Sequence, residues 1–244
     1  MTEKKHAVVT GGASGIGFGI ARACINAGYR VTIVGRNDQR LRDAVAKLGP
    51  AATCQRADVG QRADVESALA NVERVDLLVN AAGFVRSVSL DAALDQVEPD
   101  WDAVIETNLK GSFLMAHCVA PLLPRPGGRV INISSIGAQT GGNRPGGLAY
   151  AAAKAGLHGL TFALARELAP HGCTANVIAP GFIAGTGFTG GWSEERVTAI
   201  VAETPVGRPG TPDDVAAAVL WLASEAASFV TGTVIAVNGG WRMG

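Results

Sequence analysis

The sequence predicts an α/β protein: a doubly wound parallel sheet of about seven strands with helices on both faces. Short Val- and Ile-rich runs alternate with longer stretches of 3.6-residue apolar spacing. Several short runs are almost wholly apolar, as strands covered on both faces must be, and right-handed crossovers then wind the sheet in both directions. Glycine is frequent as well, 32 of 244 residues, without a collagen-like period, so the backbone must turn tightly or approach something closely in many places.

The strands are expected, in order, at His6–Thr10, Arg30–Gly35, Ala52–Ala57, Asp76–Asn80, Gly128–Ser134, Thr174–Ala179 and Thr233–Val237, each bounded by glycine or polar residues. Helices are expected between them at Gly15–Ala27, Gln39–Leu48, Ala63–Val72, Asp100–Leu122, Leu148–Ala169 and Asp213–Ala223. No repeat, low-complexity tract or linker divides the chain, so residues 1–244 are expected to form one domain. Two segments fit no element, near 84–97 and 182–211. Both follow strand ends, where an open parallel sheet holds its ligands, and both are candidate substrate walls.

Composition excludes several classes. With 21 Lys and Arg against 21 Asp and Glu, the chain has no global basic field for nucleic acid or an anionic membrane. No apolar run has the length of a membrane helix, and Gly11-Gly12 interrupts the first apolar run too early for a signal peptide, so a cytoplasmic location is expected. Cys24, Cys54, Cys118 and Cys173 are far apart and lack metal-ligand spacing, which reads as reduced thiols in a core and no metal site.

The first strand runs into Thr10-Gly11-Gly12-Ala13-Ser14-Gly15-Ile16-Gly17, which opens the first helix. Small residues there let the backbone come close to a pyrophosphate, whose charge the free N–H groups of a helix N-terminus can meet. The turn is not a strict GxGxxG, and Phe18 stands where a P-loop would carry lysine. At the end of the second strand, where an acid would bind an unphosphorylated ribose, the chain has Gly35-Arg36. Arg36 can instead bond a 2′-phosphate, which favours NADP(H) over NAD(H). Asp58-Val59 follow the third strand, and Asp58 either caps the next helix or bonds an adenine amino group. Asn80-Ala81-Ala82-Gly83 closes the fourth strand and can lie along the ribose and nicotinamide.

Tyr150 and Lys154 stand four residues apart and share one helix face. A nearby ammonium lowers a phenol's pKa from about 10 and makes it fit for acid–base work. Ser134-Ser135 end the fifth strand at the same sheet edge, where a hydroxyl can bond a substrate carbonyl. Asn108, an amide inside a largely apolar helix, is either a satisfied structural group or part of a water relay.

These motifs, in this order, resemble those of the classical short-chain dehydrogenase/reductase family, and the resemblance covers essentially the whole chain. It implies a Rossmann-type fold and hydride transfer between a nicotinamide and a carbonyl or alcohol carbon. The family's glycine pattern falls on Gly11, Gly15 and Gly17, with Ser14 and Ile16 between them, and its strand-four motif on Asn80–Gly83. The catalytic Asn, Ser, Tyr and Lys fall on Asn108, Ser135, Tyr150 and Lys154. Tyr150 would then exchange the proton with the carbonyl oxygen, Ser135 would hold that oxygen, and Lys154 would bind the nicotinamide ribose and acidify the tyrosine. Asn108 would hold a water linking Lys154 to solvent. Pro180-Gly181 match the family after the sixth strand, and Ile183 and Thr186 would meet the carboxamide.

Within the family, Trp101–Leu109, Asn176–Ile183 and Gly232–Gly240 most resemble the 3-oxoacyl-acyl carrier protein reductases. These stretches are shared with sugar, polyol and alcohol dehydrogenases. Ser135 and Tyr150 stand 15 positions apart, with an insertion around Gly142–Gly146, and Ala184-Gly185 delays Thr186 by one residue. An NADPH-dependent reductase of a 3-oxoacyl thioester is the leading reading; an NAD(P)-dependent dehydrogenase of a sugar, polyol or secondary alcohol is the alternative. A non-catalytic nucleotide-binding regulator has no use for the phenol–ammonium pair, and Ser135 lacks the GxSxG elbow of a hydrolase. Acyl carrier protein, which is acidic, would dock on basic surface near the active-site mouth; Arg125 and Arg129 are candidates for that role or plain solvated charges, and His171 replaces a common basic residue. The resemblance also implies a homotetramer, with Asp100–Leu122 and Leu148–Ala169 at one interface and Asp213–Ala223 with the last strand at the other.

Overall fold

The computed structural model describes residues 4–142 and 144–243. All seven expected strands form, as β1 (His6–Thr10), β2 (Arg30–Gly35), β3 (Ala52–Arg56), β4 (Leu77–Asn80), β5 (Arg129–Ile133), β6 (Thr174–Pro180) and β7 (Val234–Val237). They make one parallel sheet in the order β3-β2-β1-β4-β5-β6-β7. The order reverses between β1 and β4, which opens a crevice at the carboxyl ends of those strands.

Strand alternation divides the core into two layers. Val9, Ile33, Val79 and Ile131 face one side, against Ile20 and Cys24 of α1 (Gly15–Asn26), Leu41 of α2 (Asp38–Leu48) and Val215, Val219 and Leu222 of α9 (Pro212–Ala223). Val8, Val34, Leu78 and Val130 face the other, against Val65 of α3 (Arg62–Leu69), Met115 and Val119 of α5 (Gly111–Val119) and Leu168 of α7 (Leu148–Leu168). Each fully buried Val or Leu contributes about 1.5–3 kcal/mol relative to exposure, and the two layers hold most of them. Cys24 and Cys173 are buried, and burial pushes the Cys24 thiol up to about 12, which leaves it unreactive. Among the described residues no helix is long and apolar enough to cross a membrane.

The expected helix Asp100–Leu122 is longer and segmented. It begins as α4 (Leu94–Ile105), widens into a π-helical turn at Glu106–Lys110, resumes as α5 and ends in a 3-10 turn at Ala120–Leu122. Pro99 lies inside α4, six residues into the helix, which is why the composition there reads as a boundary. The 84–97 segment is therefore part loop and part helix. The 182–211 segment holds a further helix, α8 (Glu194–Glu203), and a short one, α6 (Gly137–Thr140), follows β5. α8 buries only Ile200, so its sequence carries little apolar periodicity to find it by.

At the amino ends of the strands, His6 is buried and fully bonded: its N–H donates to Asp76 Oδ2 at 2.9 Å, Nδ1 meets Arg74 O at 2.8 Å, and Nε2 meets Thr32 Oγ1 at 2.8 Å. Since a carbonyl only accepts, Nδ1 carries the proton and Nε2 accepts from Thr32, which is the neutral ring. Burial holds the His6 pKa below its usual value, and Arg30 adds to that, against the Arg74 carbonyl and Asp76. The unfolded chain thus binds a proton at about pH 6.5 that the folded chain refuses, so folding loses stability as the pH falls through that value. The thermal midpoint is expected to drop between about pH 7 and pH 5, and His6→Gln to make that slope shallower in a pH series of melting curves. An unchanged slope would assign the effect elsewhere.

Candidate active site

The carboxyl ends of β1, β2, β4, β5 and β6 surround a cavity of about 930 Å³ that runs from Arg36 and Asp58 at one end to Trp192 and Arg196 at the other. At its first end the turn after β1 packs so closely that a Cβ on Gly17 would collide with Gly11 O. Only glycine lets α1 start there. Ser14 precedes α1 in extended conformation, its side chain makes no capping bond, and the first turn has no acidic residue. The N–H groups and positive dipole end of α1 are therefore met by no capping side chain and no acid of their own first turn, which suits a diphosphate.

Arg36 leaves the end of β2, lies 5.4 Å over the Phe84 ring, and brings Nη1 within 3.6 Å of Asp58 Oδ2. Its side chain keeps 59% of its exposure, so that ion pair is weak and open to exchange. Asp58 does not cap a helix. Its Oδ1 accepts from Gly60 N–H at 3.0 Å, while α3 begins after Gln61. Arg40, in the first turn of α2, lines the same end. Sequence reasoning stopped at the strand end and missed it, although it follows Arg36 by four residues.

Asn80 departs from expectation. It does not line the cavity; its Nδ2 donates to Asn132 Oδ1 at 2.9 Å and to Ser112 O at 3.3 Å, tying β4 to β5 and α5 inside the core. The pleat turns it away, and only the residues beyond the strand, Ala81 to Gly83, reach the cavity. Thr10 Oγ1 accepts from the N–H groups of Ala81 and Ala82, both at 3.0 Å, and fixes that turn.

The second half of the cavity gathers Asn108, Ser135, Tyr150 and Lys154. The serine pair splits by alternation. Ser134 is buried, donating to Lys154 O and meeting His158 Nε2, each at 2.9 Å, whereas Ser135 is partly open to the cavity and accepts from Gly137 N–H at 3.1 Å. Asn108 sits in the π-helical turn, where its Nδ2 donates to Val104 O and Phe84 O, each at 3.0 Å. Its Oδ1 is buried without a partner, and a Cβ on Gly83 would collide with it. The position of that Cβ is 3.4 Å from Lys154 Nζ. An orphaned acceptor, an amine and a position only glycine can fill thus converge, as a hydroxyl-bearing ligand or bridging water requires.

The expected acidification of Tyr150 is not what this chain alone produces. Lys154 Nζ donates to Ile133 O at 2.9 Å and lies 5.6 Å from the centre of the Tyr150 ring. Burial pushes the Tyr150 phenol up to about 12, with a bond to Ser135 pulling the other way, and burial pulls the Lys154 amine down to about 7. A half-neutral amine is a poor field source, so desolvation outweighs attraction and the phenol stays protonated at neutral pH.

Pro180, Gly181, Ile183 and Thr186 line the cavity beyond β6. Thr186 is buried, its hydroxyl engaged by Thr189 Oγ1 at 3.0 Å, and a Cβ on Gly15 would lie 3.3 Å from Thr186 Cβ. The loop after β6 therefore closes over the glycine turn. Ser14, Ile16 and Val59 line the cavity as well. The far wall draws on the 182–211 segment, whose individual side chains sequence reasoning did not single out: Phe188 packs at 5.5 Å on Tyr150, Phe182 stacks at 5.3 Å on Trp192, and Arg144 and Arg196 stand beside them. Three aromatics within a glycine-rich segment were the available signal.

Two expectations about basic surface are corrected. Arg129 is buried at 3% exposure rather than solvated, donating to Gly128 O at 3.2 Å with Glu225 at 4.0 Å. It opens β5, so it and Arg125 lie at the amino ends of the strands, opposite the cavity mouth.

Residues 11–242 match a family model described as enoyl-(acyl carrier protein) reductase. The chain is 37% identical over 240 residues to the 3-oxoacyl-acyl carrier protein reductase of Rickettsia prowazekii, covering 98% of this chain and 97% of the relative. It is 39% identical over 246 residues to the enzyme of the same name from Salmonella typhimurium, covering 99% and 98%. Nodulation protein G of a Rhizobium species is 38% identical over 244 residues, covering 98% and 97%. Among solved structures, a short-chain dehydrogenase/reductase of Brucella melitensis, named as a glucose/ribitol dehydrogenase, superposes with a TM-score of 0.92 at 30% identity, covering 99% of this chain and 98% of that one. The sheet order, the cavity at its switch point and these full-length similarities converge: the chain belongs to the short-chain dehydrogenase/reductase family and is an NAD(P)-dependent oxidoreductase.

Proposed function

We propose that this protein reduces a ketone to a secondary alcohol with NADPH, a 3-oxoacyl thioester being its first substrate. One observation carries the reading: Tyr150 and Ser135 line the same cavity side by side, a Cβ on Gly137 lying 3.4 Å from the Ser135 hydroxyl and 3.8 Å from the Tyr150 ring, so two O–H groups can converge on one carbonyl oxygen. Tyr150 gives its proton to that oxygen as the alcohol forms, and Ser135 steadies the charge. Lys154 and the acceptor Asn108 Oδ1 stand behind the phenol, where they can pass a proton inward through water. The names of the Rickettsia and Salmonella relatives support the thioester substrate. The name of the Brucella protein supports the alternative, oxidation of a sugar or polyol, which a phenol near 12 disfavours at neutral pH.

The cofactor's diphosphate would lie along Gly11, Ser14, Gly15, Ile16 and Gly17, with Arg36 on a 2′-phosphate and Asp58 and Val59 at the adenine. Ala81, Gly83 and Lys154 would hold the nicotinamide ribose, and Pro180, Gly181, Ile183 and Thr186 the nicotinamide end. When bound, the dinucleotide supplies the hydride. Phe113 and Phe162, each about half exposed on α5 and α7, support self-association through those helices, in keeping with a homotetramer.

Tyr150→Phe is expected to lower kcat for ketone reduction by about 10²–10⁴-fold while NADPH affinity stays within a few-fold; wild-type turnover in that variant would refute the proton donor. Arg36→Ala is expected to lower kcat/KM for NADPH by about tenfold or more relative to NADH, the size of a lost charge-assisted bond, measured by cofactor absorbance. An unchanged ratio would remove the basis for NADPH preference. The pH dependence has a definite sign. Oxidation needs the phenolate, whose fraction grows about tenfold per unit below the phenol's pKa, so alcohol oxidation should climb steeply from about pH 7 to pH 9 while ketone reduction does not rise. A reduction rate that climbs with the oxidation rate would contradict this.

A further inference from the structure

Among the described residues that line the cavity, four arginines, Arg36, Arg40, Arg144 and Arg196, stand against the single carboxylate of Asp58, with the Lys154 amine between them. The chain as a whole is balanced at 21 and 21, so this excess is local. Arg36 has Asp58, and Lys154 has Ile133 O. Arg36 and Arg40 flank the end of the cavity nearest β2, where a dinucleotide's adenosine would lie. That leaves Arg144 and Arg196, on the other side of Tyr150, without a counter-charge among the described residues that line the cavity.

Arg196 lies flat on Trp192, its guanidinium carbon 3.4 Å from the ring centre. Its Nε is buried with no hydrogen-bond partner, and among the described residues no carboxylate stands within ion-pairing distance of Arg196 or Arg144. Trp192 stacks in turn on Phe182, which follows Pro180-Gly181 at the end of β6. Arg144 stands in the segment between α6 and α7 that delivers Tyr150. Both guanidinium-bearing residues line the one cavity, and burial first, and then the Arg144 charge, hold the Arg196 guanidinium below its usual value. Like charges brought together repel, and an anion between them removes the repulsion and satisfies the open Nε–H of Arg196. The aromatic wall of Phe182, Phe188 and Trp192 between that point and Tyr150 suits a carbon chain.

We propose that Arg144 and Arg196 form a subsite for an anionic group, a carboxylate or a phosphate, carried by the carbonyl substrate at the end remote from its reacting carbonyl. The inference rests on the reading of the cavity as a ketone reductase site. It selects substrates that carry charge over neutral ketones of the same shape.

Two matched pairs test it: 5-oxohexanoate against its ethyl ester, and acetoacetyl-CoA against the neutral N-acetylcysteamine thioester of acetoacetate. At least one charged member is expected to exceed its neutral partner in kcat/KM by about tenfold to a hundredfold, through KM, as charge-assisted bonds of this kind provide. Preference in the first pair identifies a carboxylate, and preference in the second a phosphate. Arg196→Gln and Arg144→Gln should each bring the charged-to-neutral ratio down at least severalfold, and Arg196→Lys should recover part of it. Ratios near one in both pairs, or ratios untouched by both Gln variants, would overturn the subsite. If no ketone turns over with NADPH or NADH, the reductase reading fails. The subsite is then judged by tryptophan fluorescence titration of the same pairs, where equal affinity for charged and neutral members overturns it and an Arg196-dependent preference supports it.

Discussion

An amine shut into the core, with no carboxylate beside it among the described residues, is the constraint on which the rest of this site depends. Among the described residues Lys154 has one direct acceptor, the Ile133 carbonyl, and it is 4% exposed. Burying an ammonium with so little compensation costs several kcal/mol, and the cheaper response is to give up the proton, which is why its pKa falls to about 7. The phenol one turn away has the opposite response to the same surroundings: burial penalises the phenolate, so the proton stays on. Both shifts therefore have one cause, low polarity around the pair, and both move the site toward neutral groups. Such a site holds its phenol in the protonated form, the one that ketone reduction starts from.

The fold holds this pair rigidly by a buried polar network rather than by packing alone. Ser134 bonds the Lys154 carbonyl and meets His158, and Asn132 donates to Thr161 at 2.9 Å, so β5 is stitched to successive turns of α7. Asn132 accepts in turn from Asn80, which carries the connection to β4 and to the Ser112 carbonyl of α5. Low local polarity strengthens each of these bonds and makes the loss of any one costly. The π-helical turn belongs to the same arrangement. One widened turn lets Asn108 donate back to Val104 while its free oxygen faces Gly83 and the amine. Glycine at 83 is then a consequence of Asn108, since any Cβ would collide with that oxygen.

The sheet was legible because strands buried on both faces leave nearly continuous apolar runs, and all seven stand within about a residue or two of where those runs predict. Helix boundaries were less so. Pro99 breaks the sequence pattern of α4 without ending the helix, and a π-helical turn adds a residue that periodicity cannot register. Tyr150 and Lys154 were readable because four residues on a helix make neighbours. Asn80 was misplaced because motif membership does not say which way a pleat turns a side chain, and Asp58 bonds Gly60 instead of capping because the helix starts four residues later. The sign of the Tyr150 shift was beyond sequence altogether. It depends on how much protein surrounds the pair, and that protein arrives from the segment after β4, from α4 and the π-helical turn, from β5 and from the loop after β6. Arg144 and Arg196 were missed for the same reason, standing 52 positions apart and meeting only in the fold.

Charge within the cavity follows from this division of labour. The middle, around Tyr150 and Lys154, is poor in fixed charge because burial suppresses it there, and that neutrality keeps the phenol protonated at ordinary pH. Cations remain only toward the two ends, Arg36 and Arg40 at one and Arg144 and Arg196 at the other. A charged residue moved into the middle would shift the phenol's pKa directly, whereas a cation at either end acts at longer range and is partly screened by solvent. The two ends can therefore draw and orient anions without disturbing the proton between them. In a chain whose total charge is zero, placement of a few arginines around a neutral centre is the economical way to combine attraction for anionic molecules with a site that keeps its proton.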